Sequence, residues 1–276
     1  MTQEERSRER HLTVAPFRFS RGTIAAGLGA ALFAGLVATQ AEAQTRFSEM
    51  PVARAYQGCM ALARSKPSEG FEAAIAWRDE GGGPPARHCT AIALVGLGQL
   101  DEAAQRLEKL AQNMNGFGAK ERAAVLDQAA QVWLRLGDGT RAYAALTAAL
   151  KLDDSNSALW VRRGEVLARA GEYWDAIDDF GQALDRDSGT LDALIFRAAA
   201  YRLLEVPDLA ADDLTRALAL DPSNPEALTE LGMVRRDLGD RDGARQAWLA
   251  AINAAPGSAA AGTARAALQR MDLKPQ

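Results

Sequence analysis

The stretch SALWVRRGEVLARAGEYWDAIDDFGQALDRDSGT, residues 157–190, decides the fold of this 276-residue chain. Its apolar residues recur at helical spacing on both sides of Arg169-Ala170-Gly171-Glu172, where glycine stands at the point a helix end needs a left-handed residue. Moving outward in steps of 34 residues, Gly137, Gly171 and Gly239 fall in register, with Glu205 at the intermediate place. The unit after the quoted one keeps Ala198, Tyr201, Ala210, Leu214, Ala217 and Pro222; the next keeps Leu231-Gly232, Gly239, Ala244, Trp248, Ala251 and Pro256. A looser copy at 123–156 has Trp133, Gly137, Ala142, Leu146 and Ala149, but Asp154 where a closing Pro is expected. Small residues such as Gly164, Ala176 and Ala210 let two antiparallel helices approach. Phe180, Leu214 and Trp248 are expected to fill the gap between neighbouring pairs.

The placing of Trp160, Gly164, Gly171, Tyr173, Ala176, Phe180 and Ala183 resembles the tetratricopeptide repeat, a helix-turn-helix unit of 34 residues. The resemblance covers residues 84–258, most closely 123–258. It implies an all-α, right-handed α-solenoid of stacked antiparallel hairpins, because a single hairpin is an unstable half-core that only a neighbour completes. In proteins of this kind the first helices line a concave groove that holds a partner segment. Helical spacing puts unit positions 2, 5, 9 and 12 on one stripe. The stripe reads Ala124, Asp127, Gln131 and Leu134, then Ala158, Val161, Glu165 and Ala168, then Asp192, Ile195, Ala199 and Arg202, then Glu226, Thr229, Met233 and Arg236. The Lys, Asn and Arg set with which some relatives grip a C-terminal carboxylate is missing.

Upstream, Leu97-Gly98-Gln99-Leu100 with Ala103, Ala104 and Leu107 repeats the second-helix pattern, one period plus five residues before Gly137. The surplus falls on Asn115-Gly116-Phe117-Gly118, which reads as a bend or break in the stack. Residues 52–79 read as a divergent hairpin with Pro67 between its helices, and Ala259 to Met271 as a terminal helix with Arg265 and Arg270 on its exposed side. The expected organisation is a leader at 1–43, divergent hairpins at 44–118, the repeat array at 119–258, and a capping helix and tail at 259–276.

The leader rests on five arginines up to Arg21, an uncharged run from Gly22 to Gln40, and Ala41-Glu42-Ala43. That succession reads as a secretory signal cut after Ala43, and it implies a periplasmic or secreted protein; an uncleaved anchor is the alternative. No second apolar run long enough to span a membrane follows. Residues 44–276 hold 27 basic and 32 acidic side chains, a balance that disfavours nucleic acid as a ligand. Cys59 and Cys89 are the two cysteines, and an oxidising compartment would permit a disulfide between them. Two buried thiols, or a metal site completed by His88, stay open as other readings.

Catalytic signatures are absent from the sequence: it has no Gly-x-Ser-x-Gly elbow, no His-Glu-x-x-His, no phosphate loop and no Cys-x-x-Cys. His88, the one histidine outside the leader, reads as a polar residue at a helix start. Asp175, Asp178, Asp179, Asp212 and Asp213 read as a solvated face. The aromatics Trp160, Tyr173, Phe180, Tyr201 and Trp248 read as core, with Trp77 and Trp174 less committed.

These readings converge on a non-catalytic, cofactor-free scaffold or adaptor of the cell envelope that binds a protein or peptide. The alternative is a permanent accessory subunit of an envelope enzyme or of a secretion or assembly complex. Candidate groove residues are Arg162, Glu165, Arg169, Arg202, Met233 and Arg236. Four arginines on one lining would favour an acidic partner, and as exposed residues Arg202 and Arg236 should be dispensable for folding. Intact-mass measurement of the protein from its native envelope should show Gln44 as the first residue. Full-length chain in the cytosol would contradict export.

Overall fold

The computed structural model describes residues 52–273, so the expected leader and its cleavage point lie outside the described residues. Thirteen helices and no strand are found among them. They pair as α1 (Val52–Ser65) with α2 (Pro67–Asp79), α3 (Gly83–Gly96) with α4 (Leu100–Asn113), and α5 (Ala119–Leu136) with α6 (Gly139–Leu152). Then come α7 (Ser157–Ala170) with α8 (Tyr173–Arg186), α9 (Leu191–Leu203) with α10 (Pro207–Leu220), α11 (Pro225–Asp237) with α12 (Arg241–Ala254), and a last helix, α13 (Ala259–Leu273). Each first helix packs on its own partner and on the second helix of the preceding hairpin, which gives an all-α solenoid.

The turns follow their residues. Gly137, Gly171 and Gly239 take φ of 82°, 86° and 85°. Glu205 is forced to the same left-handed place at φ 60°, the one non-glycine with positive φ among the described residues. Asp138, Asn156, Asn224 and Asp240 cap α6, α7, α11 and α12 by accepting a backbone N–H in the first turn. Pro67, Pro207 and Pro225 open their helices, where a missing N–H costs nothing.

Inside each repeat the two helices meet at residues 16 apart, and their sizes compensate. A Cβ built on Gly164 would stand 2.6 Å from the Phe180 ring, and one on Gly232 2.3 Å from the Trp248 indole. Where the small residue is alanine instead, at Ala130 and Ala198, the residue in the same register is Leu146 or Leu214, all fully buried. Phe180 and Trp248 therefore press first on the glycine of their own hairpin rather than only bridging neighbouring pairs. Phe180 also reaches Phe196 of the next hairpin, ring centroids 5.9 Å apart.

The break expected at Asn115–Gly118 is not there. One hydrophobic core runs from Ala91 on α3 to Val166 on α7, across the connection. Arg122 Nε donates to the Ala111 carbonyl oxygen at 2.8 Å, and the Trp133 indole N–H donates to Glu108 at 2.8 Å, so α5 is stitched to α4. Asn115 to Gly118 form the turn that leads into α5, with Gly118 at its N-cap, and α5 is 18 residues long, so the stack continues without interruption. Upstream, Trp77 is buried in a separate core with Cys59 and Cys89, which form a disulfide between α1 and α3 with Cα atoms 6.1 Å apart. It closes a separation of 30 residues, for which loop-closure entropy gives a stabilisation of about 3–4 kcal/mol.

Size compensation yields a double-mutant test. Alanine normally gains about 1 kcal/mol over glycine within a helix. At Gly164 that gain should lose to an overpacking cost of about 1–3 kcal/mol against Phe180, so Gly164→Ala should lower the melting temperature. Adding Phe180→Leu recreates the Ala–Leu pairing of the adjacent repeats, and the double variant should lose less than the sum of the singles. Strict additivity in thermal unfolding would show that the two positions do not share one space.

Candidate functional site

The stripe of first-helix residues does not behave as one lining. Position 5 is packed between consecutive first helices: Val161, Ile195 and Thr229 are each 6% exposed. Position 2 is open, with Ala124, Ala158, Asp192 and Glu226 all exposed. At the C-terminal end α13 lies against α11. The Thr229 hydroxyl stands within 3.3 Å of the Ala260 carbonyl oxygen, and Met233 packs on the cluster of Ala264, Ala267 and Met271. Met233 is thus drawn under the last helix, because α13 occupies the place a further first helix would take.

The four candidate arginines are brought into ion pairs rather than left as a positive strip. Arg162 on α7 reaches back to Asp127 on α5 at 2.7 Å. Arg169 pairs with Glu165 one turn earlier at 3.5 Å, and Arg236 with its neighbour Asp237 at 2.7 Å. Arg202 on α9 pairs with Glu230 on α11 and stands 3.8 Å from Asp237. Its side chain is 14% exposed and that of Glu230 5%, so Arg202 is a buried tie between repeats and not an open groove residue. Removing one partner of such a pair strands a buried charge, which costs about 3–5 kcal/mol. Arg202 therefore contributes to stability, whereas Arg236 is exposed and pairs only with its neighbour Asp237. Burial raises the carboxyl pKa of Asp127 and of Glu165; Arg162 and Gln131 hold the first down, and Arg169 opposes the second while Asp192 adds to it.

A second set of carboxylates escaped the reading of the sequence. Asp179 and Asp213 are not solvated; they are 4% and 3% exposed, while Asp175, Asp178 and Asp212 are. Arg163 holds Asp179 by two hydrogen bonds of 2.7 Å from Nε and Nη2, and Arg197 holds Asp213 in the same way. The hydrogen bonds to aspartate raise the pKa of both guanidinium groups. Arg163 also lies over the Trp160 ring, 4.9 Å from its centroid. The signal was present: both pairs are 16 residues apart and recur after 34.

His88 is not at a helix start. It is the sixth residue of α3, 8% exposed, and joins three first helices. Nδ1 lies 2.6 Å from the Tyr56 hydroxyl of α1, and Nε2 lies 2.6 Å from Gln128 Oε1 of α5. A neutral ring satisfies both, since Nε2–H donates to the amide oxygen while Nδ1 accepts from the phenol. The adjacent disulfide commits both sulfurs to each other. Among the described residues no group of three His, Cys, Asp or Glu could hold a metal ion, and no helix is long and apolar enough to cross a membrane.

Burial lowers the pKa of His88, against a smaller upward pull from Gln128, so folding favours the neutral ring. Its contribution is fully present above the unfolded value near 6.5 and is lost as pH falls from there through the lowered folded value. Melting temperature should fall over that window more for the native protein than for His88→Gln. Parallel pH profiles would remove His88 as the cause.

A family model described as tetratricopeptide repeat matches residues 128–190 and 199–260. A probable UDP-N-acetylglucosamine--peptide N-acetylglucosaminyltransferase, SPINDLY, of Hordeum vulgare is 32% identical over 111 residues, 40% of this chain and 12% of that protein. The curated relatives are thus matched over a minor part of their length, 10% to 24%. A tetratricopeptide repeat protein from Parabacteroides merdae superposes with a TM-score of 0.57 at 19% identity, covering 63% of this chain and 67% of that one. YrrB, described as a TPR protein with an unusual peptide-binding site, superposes with a TM-score of 0.53 at 17% identity, covering 68% of this chain and 94% of that one. At such identities the structures speak for the fold. With hairpins, turn glycines and helix spacing all in the 34-residue register, the chain carries tetratricopeptide repeats over residues 128–190 and 199–260.

Proposed function

We propose that this protein is a non-catalytic scaffold that binds a segment of a partner protein along the first-helix face of its repeats, and that it works in the cell envelope after export. The observation that carries the binding face is the open row Ala124, Ala158, Asp192 and Glu226, one residue per repeat, standing beside the buried position-5 residues. A regular row of exposed positions on adjacent rigid helices suits an extended ligand. The likeness to YrrB, with its peptide-binding site, supports the same reading. The matched part of SPINDLY is about an eighth of that protein, so its catalytic name does not carry over to this chain.

Because Arg162, Arg169 and Arg236 already hold carboxylates, the face presents compensated charge between small and apolar residues, and it suits a segment of mixed polarity. Export rests on the basic, apolar and Ala-Glu-Ala succession before Gln44. A permanent subunit of an envelope complex would use the same fold but would co-purify in fixed ratio.

Site-specific photocrosslinking in cells separates these outcomes. A photoreactive residue at Ala158 or Asp192 should trap a protein partner in the envelope fraction, and the same residue at Asp178 on α8 should not. Equal adducts from both faces, or adducts only from α8, would overturn the assignment of the first-helix face.

A further inference from the structure

The chain holds a second charged feature that the repeat array does not account for. A cleft of about 710 Å³ opens between α2, α3 and α4, upstream of residue 128 where the matched repeats begin. Arg87 and Thr90 of α3 lie between the second helices α2 and α4 that supply the rest of the lining, and none of these residues is in the open row Ala124, Ala158, Asp192 and Glu226. Four cations converge on it: Arg78 from α2, Arg87 from α3, and Arg106 and Lys109 from α4. The chain as a whole carries a net charge of −4, so this convergence runs against its average.

Two of the four are already neutralised within the chain. Arg78 binds the carboxylate of Asp79 at 2.7 Å, and Arg106 that of Glu102 at 2.6 Å, both at exposed positions on the rim. Arg87 and Lys109 make no ion pair or side-chain hydrogen bond among the described residues, and both are exposed. The rest of the lining is not a bare anion cradle. Gln105 and Asn113 donate their amide N–H groups to Asp101 and to the Lys109 carbonyl oxygen, which leaves their amide oxygens to accept from a peptide main chain; Leu110, 3% exposed, closes the base. The volume lies within the range that holds a compact ligand, roughly 300–1,000 Å³. Behind the cleft, the Cys59–Cys89 disulfide fixes α3 to α1, so Arg87 projects from an anchored helix.

We propose that this cleft binds an acidic segment of a partner protein, with Arg87 and Lys109 taking its Asp or Glu side chains. Charge complementarity selects the acidic character. The amide oxygens of Gln105 and Asn113, which can accept from peptide N–H groups but have nothing to offer a free oxyanion, select a polypeptide. The site stands apart from the first-helix face and can hold even if that face binds nothing.

The test uses the full chain with its disulfide intact and a short fluorescein-labelled peptide that alternates Glu with Leu and Ser. Anisotropy should report binding that weakens as salt rises. The counterpart with Gln in place of Glu should bind at least about tenfold more weakly, and Arg87→Ala with Lys109→Ala should weaken the Glu peptide by about the same factor. Lys109→Arg should retain binding, and Arg236→Ala, on the other face, should leave it unchanged. Neither exposed residue has a partner to lose, so the helical signal of all variants should match the native chain.

Undiminished binding by the double alanine variant would overturn the site. Equal affinity for the Gln peptide, or for inorganic phosphate, would overturn the acidic polypeptide as its ligand. Loss of binding in Arg236→Ala alone would move the peptide to the first-helix face. Photocrosslinking from Ala158 answers separately for that face, so failure of one assignment leaves the other readable.

Discussion

The four hairpins from α5 to α12 depend on one steric exchange: a residue of the first helix must be as small as its opposite number, 16 positions on, is large. Gly164 admits Phe180 and Gly232 admits Trp248, while Ala130 and Ala198 occupy the same register as the smaller Leu146 and Leu214. Total volume at the contact is held nearly constant although neither residue is. Close packing demands this, because interiors tolerate neither a void nor an extra methyl without cost. The spacing between helices then sets where every other side chain falls.

Polar groups are arranged around that contact. One residue before each small position, two adjacent repeats place an arginine that reaches an aspartate on the second helix, Arg163 to Asp179 and Arg197 to Asp213. In the flanking repeats the corresponding places hold Ala129 with Ala145, and Leu231 with Ala247. The two central repeats therefore use a charged solution to the gap and the two flanking ones an apolar solution. Buried pairs of this kind add little net stability over well-packed apolar residues, yet they penalise any shift that parts them. At these two repeats they therefore fix register more than they add strength. Between repeats, Arg162 with Asp127 and Arg202 with Glu230 connect each first helix to a neighbour, which removes the arginines from the surface where a linear reading would put them.

The divergent hairpins solve the same problem differently. Their core is separate from the one that begins at Ala91, and it relies on a disulfide and on the Tyr56–His88–Gln128 chain of hydrogen bonds to tie three first helices. Close backbone approach also occurs here, between two small residues: a Cβ on Gly70 would meet the Ala63 backbone at 2.5 Å. What changes is that covalent and polar links carry part of what periodic packing does downstream.

The sequence by itself determined the helices, their turns and the 34-residue period, because each follows from local chain geometry repeated often enough to be seen; that Phe180 and Trp248 press on the glycine of their own hairpin was decided by the packing. Gly137, Gly171 and Gly239 announce their turns, and even Glu205 betrays its strained place by register alone. Partnership across the stack was decided only by the tertiary structure. Whether Arg202 faces water or Glu230, whether Asp179 is wet or clamped, and whether the stack breaks at Asn115 to Gly118 or continues through α5 all depend on how neighbouring hairpins rotate against each other. That rotation sums many weak contacts from distant parts of the chain, and a charged side chain at a given repeat position looks the same in the sequence whichever way it resolves.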